Sequence, residues 1–361
     1  MDKLNNKPFF ILTNTLLAGG AERQSIYLAK ALSKKYQVNL IVYYGNQCDK
    51  RYLELASDFS NKIIFLSGNH VSKLFFLFKL FCKNKNAVII SYLATTNLIN
   101  ALIGGLAGIN IKIGGIRSST IKKYKFYIHR FLHNRILSYT VSNNNAICPY
   151  LIENGFNPDK LSVIHNCIDN VPAYFIRNES QRAVKILSLS RFVWQKDLII
   201  ALKAIEILNR DFKKGKFQFI LAGYGPEEQS LRNFIEENKL QDYVEMIINP
   251  NVEKMLIEAD VFLITSIFEG TSNSIMEAMA YGLPVVATDA GDSKYLVGDA
   301  ITGFVCQTGD FASIAKKIQK LIESNELREE FGINGYKKIK AEFSSEKMLS
   351  CYINLIEKSA K

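Results

Sequence analysis

The 361-residue sequence has few of the residues that hold metals or cross-link chains: four histidines and six cysteines. Cys48, Cys82, Cys148, Cys167, Cys306 and Cys351 stand apart, with no Cys-x-x-Cys pair. That excludes a disulfide framework and a zinc ribbon, and it predicts reduced thiols of a cytosolic protein. A signal peptide is not expected, because Met1 to Pro8 is polar and charged and the apolar run after it is short and lacks a cleavage site. There is no low-complexity tract and no repeat of solenoid period. With 48% hydrophobic and 22% charged residues, a disordered or collagen-like chain is excluded as well. What the first half lacks is negative charge. Up to Pro172, 21 Lys and Arg face 8 Asp and Glu; from Ala173 onward, 24 face 26. One basic half joined to a near-neutral half predicts that one lobe meets something anionic.

The length suits two domains of about 150–200 residues. The first half alternates β-like runs (FFILTNTL, VNLIVYY, KIIFLS, AVIISYL, IKIGGI, SYTVS, LSVIHN) with helical segments such as 22–33, 71–83 and 121–135. A polar segment with a proline, 169–182, reads as a linker. Alternation restarts with AVKILSLS, FQFILAG, YVEMII, DVFLITS and PVVATD, and the tail from Phe311 is almost wholly helical. Repeated β–α alternation predicts parallel sheets covered on both faces. The expected domains are 1–168 and 183–342, with a helix over 343–361 returning to the first. No charge occurs between Lys85 and Lys112, a stretch long enough to span a bilayer. It contains Asn86, Asn97, Asn100 and three glycines, and it divides into strand, helix and strand. Buried parallel strands give such uncharged runs without any membrane.

Three motifs sit at predicted strand ends, where doubly wound sheets bind ligands. Leu17-Ala18-Gly19-Gly20-Ala21-Glu22-Arg23 brings a flexible backbone and a helix N-terminus together, which suits a phosphate but also fits a plain turn. In Ser190-Arg191-Phe192-Val193-Trp194-Gln195-Lys196-Asp197, a guanidinium and an ammonium flank a strand-to-helix loop. They suit a diphosphate and equally fit a solvated pair; Asp197 is placed to cap the next helix. In the third motif, Glu269-Gly270 forms a turn, Thr271, Ser272, Asn273 and Ser274 lead into a helix, and Glu277 lies one turn along it. The two carboxylates could accept sugar hydroxyls or stabilise positive charge at a sugar carbon; they could also be unrelated glutamates.

The stretch Glu269 to Glu277, followed by EAMAYGLPVVATDAGD, resembles the signature of the retaining family 4 glycosyltransferases of GT-B architecture. GGAER at 19–23, VIHNCID at 163–169, SRFVWQKD at 190–197 and the AGYGP turn containing Gly223 fall in that family's order. The resemblance covers nearly the whole chain. It implies two Rossmann-like domains facing across a cleft. Arg191 and Lys196 would neutralise the donor diphosphate and its leaving group. Glu277 would hold the ribose hydroxyls and Glu269 the transferred sugar. Amides from Gly270 to Ser274, with Gly20, would cradle phosphates and sugar, and the loop 248–252 would border the nucleobase. Gly19 and Arg117 fall on the acceptor side. No Asp-x-Asp occurs, so no metal is expected and the only co-substrate is a nucleotide sugar, UDP favoured and GDP an alternative. Arg117 stands where many members have His, Tyr295 where the G-G-x-x-E pattern has Glu, and Cys167 where a Gly is usual.

In that architecture the first domain takes the acceptor. Its segments 70–83 and 121–131 interleave Lys with Phe and Tyr, the composition of helices lying on an anionic bilayer, or of core helices with a solvated basic face. The expected enzyme is a hexosyltransferase on the inner face of the cell membrane, extending a polyprenyl-diphosphate-linked surface polysaccharide. A GT-B nucleotide-sugar 2-epimerase is the alternative. Nucleic acid is not an expected partner, since no recognised motif for it is present.

Overall fold

The computed structural model describes all residues except 1–3, 5, 18, 118–122, 176–181 and 360–361. Ala18 of the Gly-Gly loop, Ile121 and Lys122 at the head of a predicted helix, and residues 176–181 of the predicted linker thus lie outside the described residues. The chain divides into two compact units, Met1–Asp169 with Ser345–Lys361, and Asn170–Ser344.

Among the described residues, the first unit holds seven strands: β1 (Phe9–Thr13), β2 (Val38–Val42), β3 (Ile63–Phe65), β4 (Val88–Ser91), β5 (Ile111–Ile116), β6 (Tyr139–Ser142) and β7 (Leu161–Val163). They pair in parallel in the order β3-β2-β1-β4-β5-β6-β7. Side chains alternate across β1. Phe9 and Ile11 enter the core beneath the helix Gly20–Ser33, whereas Phe10 and Leu12 enter the core beneath His70–Cys82 and Ala94–Leu106. Both faces are therefore covered, which is why the strands read as unbroken apolar runs.

The uncharged stretch is β4, the helix Ala94–Leu106 and β5. Its polar residues tie these three together. Ser91 Oγ donates to Asn97 Oδ1 at 2.8 Å, Asn97 Nδ2 donates to the Gly115 carbonyl at 2.8 Å, and Asn100 Nδ2 donates to Ser91 Oγ at 3.0 Å. Among the described residues no helix is long and apolar enough to cross a membrane.

The second unit has β8 (Val184–Arg191), β9 (Phe217–Tyr224), β10 (Val244–Ile248), β11 (Val261–Ile264), β12 (Val285–Thr288) and β13 (Gly303–Cys306). All are parallel, in the order β10-β9-β8-β11-β12-β13. Strand order thus reverses between β1 and β4 in the first unit and between β8 and β11 in the second, the doubly wound pattern. β13 was not expected from the sequence. It is four residues long, and a Cβ on its first residue, Gly303, would land on the Val285 carbonyl of β12.

The C-terminal helix, Ser345–Ser359, is part of the first unit. Met348, Tyr352, Leu355 and Ile356, spaced along one helical face, are buried in the same core as the helix Gly20–Ser33.

Candidate active site

The carboxyl ends of β8 and β11 are neighbours at the strand-order reversal of the second unit, where open α/β sheets bind ligands. The loop after β8 runs through a single 3-10 turn, Trp194–Lys196. Three hydrogen bonds pin this turn to the chain leaving β11. Thr265 Oγ1 donates to the carbonyls of Lys196 at 2.9 Å and Asp197 at 3.0 Å, and the Ile267 amide donates to the Gln195 carbonyl at 2.9 Å. Asp197 precedes the helix Leu198–Asp211 in a left-handed conformation, φ 46°, and its side chain makes no cap hydrogen bond. The expected side-chain cap is absent because the residue serves the tight turn instead, a conformation that Asp tolerates better than most.

This pinning brings Lys196 Nζ onto Glu269 Oε1, and Ser266 Oγ donates to the same oxygen at 2.8 Å. The side chains of Lys196 and Glu269 are 17% and 13% exposed, so the pair is mostly withdrawn from water yet reachable. The backbone behind Glu269 is braced by Gly291, whose φ is +56° and whose added Cβ would lie on the Glu269 carbonyl. The Asp292 amide donates to the Gly270 carbonyl at 3.2 Å. The departure from G-G-x-x-E at Tyr295 therefore leaves the glycine's steric function intact.

Thr271 and Ser272 are buried, and the helix Asn273–Ala280 begins immediately after them. The Ser272 and Ser274 hydroxyls pair at 3.1 Å. Glu277 is half-buried one turn along, close enough to Tyr281 to add to the rise of that phenol's pKa that burial begins. Gly270 lies in the turn that Gly291 braces. Arg191 closes β8 with its side chain exposed, opposite Tyr224 in the β9 register. Gly223 has a steric duty of its own, since a Cβ there would land on the Ser190 carbonyl.

Sequence reading did not single out Trp194 and Phe268. These two exposed rings meet edge to face, 5.8 Å between centroids, beside Lys196 and Glu269. The signal was available: Trp194 is the only tryptophan, and each ring is within two residues of a candidate site residue.

The remaining candidates lie in the first unit. Gly19 and Gly20 open the helix Gly20–Ser33, and the Tyr52 hydroxyl donates to the Gly19 carbonyl at 2.9 Å. Glu22, in that first turn, accepts from Thr15 Oγ1 at 3.2 Å, and burial holds its carboxyl above the usual glutamate range. Arg117 follows β5. Its guanidinium lies 4.3 Å from the Tyr92 ring centre and donates to the Tyr352 hydroxyl of the C-terminal helix at 2.9 Å. Tyr92 is fully buried, which drives its phenol well above its usual pKa. No group of three or more His, Cys, Asp or Glu among the described residues could hold a metal ion.

Residues 174–338 match the family described as glycosyl transferases group 1. The chain is 25% identical, over 98% of its length and 99% of the relative's, to the capsular polysaccharide biosynthesis glycosyltransferase CapM of Staphylococcus aureus. It is 25% identical, over 89% of this chain and 92% of the relative, to an N-acetylgalactosamine-N,N'-diacetylbacillosaminyl-diphospho-undecaprenol 4-alpha-N-acetylgalactosaminyltransferase of Campylobacter jejuni. To the amylovoran biosynthesis glycosyltransferase AmsK of Erwinia amylovora it is 31% identical, over only 47% of this chain and 44% of that protein. Among solved structures, Anabaena HepE in complex with UDP has the same fold, with TM-score 0.83 and 18% identity over 98% of this chain and 100% of that one.

Proposed function

We propose that this chain, which is a glycosyltransferase of the GT-B fold related to family 4, moves a hexose or N-acetylhexosamine from a UDP-sugar to a growing surface polysaccharide on a polyprenyl diphosphate, with retention at the anomeric carbon. The observation that carries the reading is the Lys196–Glu269 pair at the strand-order reversal of the second sheet. HepE, with the same fold, is solved with UDP, and the Campylobacter relative is named for an alpha-linked transfer to a diphospho-undecaprenol acceptor.

The donor diphosphate takes the Lys196 ammonium and the Arg191 guanidinium, with first-turn amides of Asn273–Ala280 completing its cradle. Glu277 accepts the ribose hydroxyls. Glu269, which is paired with Lys196, turns its carboxylate to the transferred sugar and stabilises positive charge there. The bond from the anomeric carbon to the phosphate oxygen breaks, and the electron pair leaves with UDP, where the two cations neutralise it. The acceptor hydroxyl enters on the face the diphosphate leaves, and its proton passes to the departing phosphate oxygen.

The acceptor arrives on a membrane. Helices His70–Cys82, Ala94–Leu106 and Lys123–Arg135 pack in series on one side of the first sheet. They expose Phe75, Phe76, Leu98, Leu102, Leu106, Tyr127 and Phe131, with Lys79 and Arg130 set over aromatic rings among them. Apolar side chains interleaved with cations suit the headgroup layer of an anionic bilayer on the cytoplasmic side.

A thermal-shift screen of UDP- and GDP-sugars tests the donor class by mass action. UDP-sugars should raise the melting temperature of the wild type, and Glu277→Ala should weaken that binding about 10- to 100-fold. A donor affinity unchanged in Glu277→Ala removes the ribose role.

A further inference from the structure

Away from the donor motifs, a cavity of about 650 Å³ opens at the carboxyl ends of β2 and β3. Its walls include Tyr44, Phe65, Gln47, Asn69, His70 and Lys73, and no acidic residue lines it. Lys73 is 8% exposed. Its ammonium donates to the Tyr43 carbonyl at 2.9 Å and stands 5.1 and 5.3 Å from the ring centres of Tyr43 and Tyr44. Among the described residues no carboxylate pairs with it. A buried ammonium is costly without a counter-charge, and one carbonyl uses only one of its three N–H groups. Further polar groups stand in the same wall. His70 has Nδ1 engaged with the Tyr43 hydroxyl at 2.7 Å, which leaves Nε2 as its remaining ring nitrogen. The helix His70–Cys82 starts here, and Asn69 Oδ1 accepts from the Ser72 amide at 2.9 Å. The amides of His70 and Val71 are left as first-turn donors without intrahelical partners.

We infer that this cavity binds an oxyanion, phosphate or carboxylate, carried on the acceptor saccharide, with Lys73 as its counter-ion and the faces of Tyr44 and Phe65 against the sugar. The inference deepens the acceptor side of the proposed transferase and rests on that reading for the carrier of the anion. The chemistry of the wall stands without it: a size suited to one or two sugar units, an apolar surface, and a cation with no internal partner of opposite charge.

The two sources of such an anion are the diphosphate of a lipid-linked acceptor and the carboxylate of an acidic sugar. Full-length protein labelled with ¹⁵N is titrated with inorganic diphosphate, with a short-chain prenyl diphosphate carrying one sugar, and with a methyl uronide. The backbone amides of Ser67, Gly68 and His70 are followed. At least one probe should shift these amides in a saturable way, and the tighter of the two saccharide probes identifies the source. Gln47→Glu places a carboxylate on the exposed rim and should weaken binding roughly tenfold, as should Lys73→Met, while Lys73→Arg retains it. If Lys73→Met does not fold, Gln47→Glu carries the test alone. Amides that stay unmoved by all three probes, or a Gln47→Glu variant that binds like the wild type, overturn the inference. UDP added to the same sample reports on the donor site separately, through the amides of Gly270 to Ser274. Failure of the transferase reading therefore appears there and not at the cavity.

Discussion

Lys196→Met should destabilise the second unit and weaken UDP binding, while Glu269→Gln should destabilise it and leave UDP binding intact or tighter. The ion pair is 17% and 13% exposed, and Glu269 has the Ser266 hydroxyl at 2.8 Å as a second partner. Removing one member of a fully buried pair costs about 3–5 kcal/mol. With residual solvent and the Ser266 hydrogen bond, about 2–3 kcal/mol is expected for either single variant. For a domain of this size that lowers the melting temperature by about 4–12 °C. The double variant Lys196→Met/Glu269→Gln removes both charges and should recover most of the loss. UDP affinity separates the two partners. If Lys196 holds the diphosphate as proposed, Lys196→Met removes a charge-assisted contact to it, whereas Glu269→Gln frees Lys196 from its carboxylate partner before phosphate binds. Scanning calorimetry with and without UDP reads both quantities. A double variant that falls by the sum of the single losses would refute the coupling, and a Lys196→Met variant that binds UDP like the wild type would refute the diphosphate role.

Three further outcomes follow from particular contacts. Gly291→Ala puts a Cβ on the Glu269 carbonyl at φ +56° and should cost at least about 2 kcal/mol in urea unfolding, with turnover lost at unchanged UDP affinity. Burial holds the Glu22 carboxyl above its ordinary value of 4.5, so the native state binds that proton more tightly than the unfolded chain does. The contribution of Glu22 to stability therefore falls as pH rises from about 4.5 through the folded value. Glu22→Gln should melt higher than the wild type at pH 7, and the difference should close below about pH 4.5; a gap independent of pH would contradict this. Leu106 is 75% exposed, and Leu102→Glu/Leu106→Glu should abolish co-sedimentation with anionic liposomes at low salt while leaving the melting temperature within about 2 °C. Equal co-sedimentation of the variant would remove this helix from the membrane face.

Much of the site was legible because its motifs are local. Glu269 to Glu277 is one loop and one helix, and the spacing alone puts Glu277 one turn beyond the helix start. The cap at Asp197 misled because its residue type is right for a cap while its backbone, φ 46°, is committed to a turn that Thr265 holds from another strand. β13 escaped because four residues beginning with glycine carry too little pattern, and its place is set by contact with β12. The roles of Gly223 and Gly291 are steric duties toward residues far away in sequence, which spacing does not reveal.

Alone, the sequence determined two runs of alternating strands and helices, a helical tail, the excess of positive charge before Pro172, and the order of the glycine and glutamate motifs. These follow from periodicity and composition, which act over neighbouring residues. Only the tertiary structure decided that Lys196 meets Glu269, that Lys73 is buried at a cavity wall without a carboxylate, and that Arg117 meets Tyr352 of the C-terminal helix. Each of those facts depends on strand order, which sets which chain ends become neighbours, and parallel pairing between distant segments leaves no local mark in the sequence.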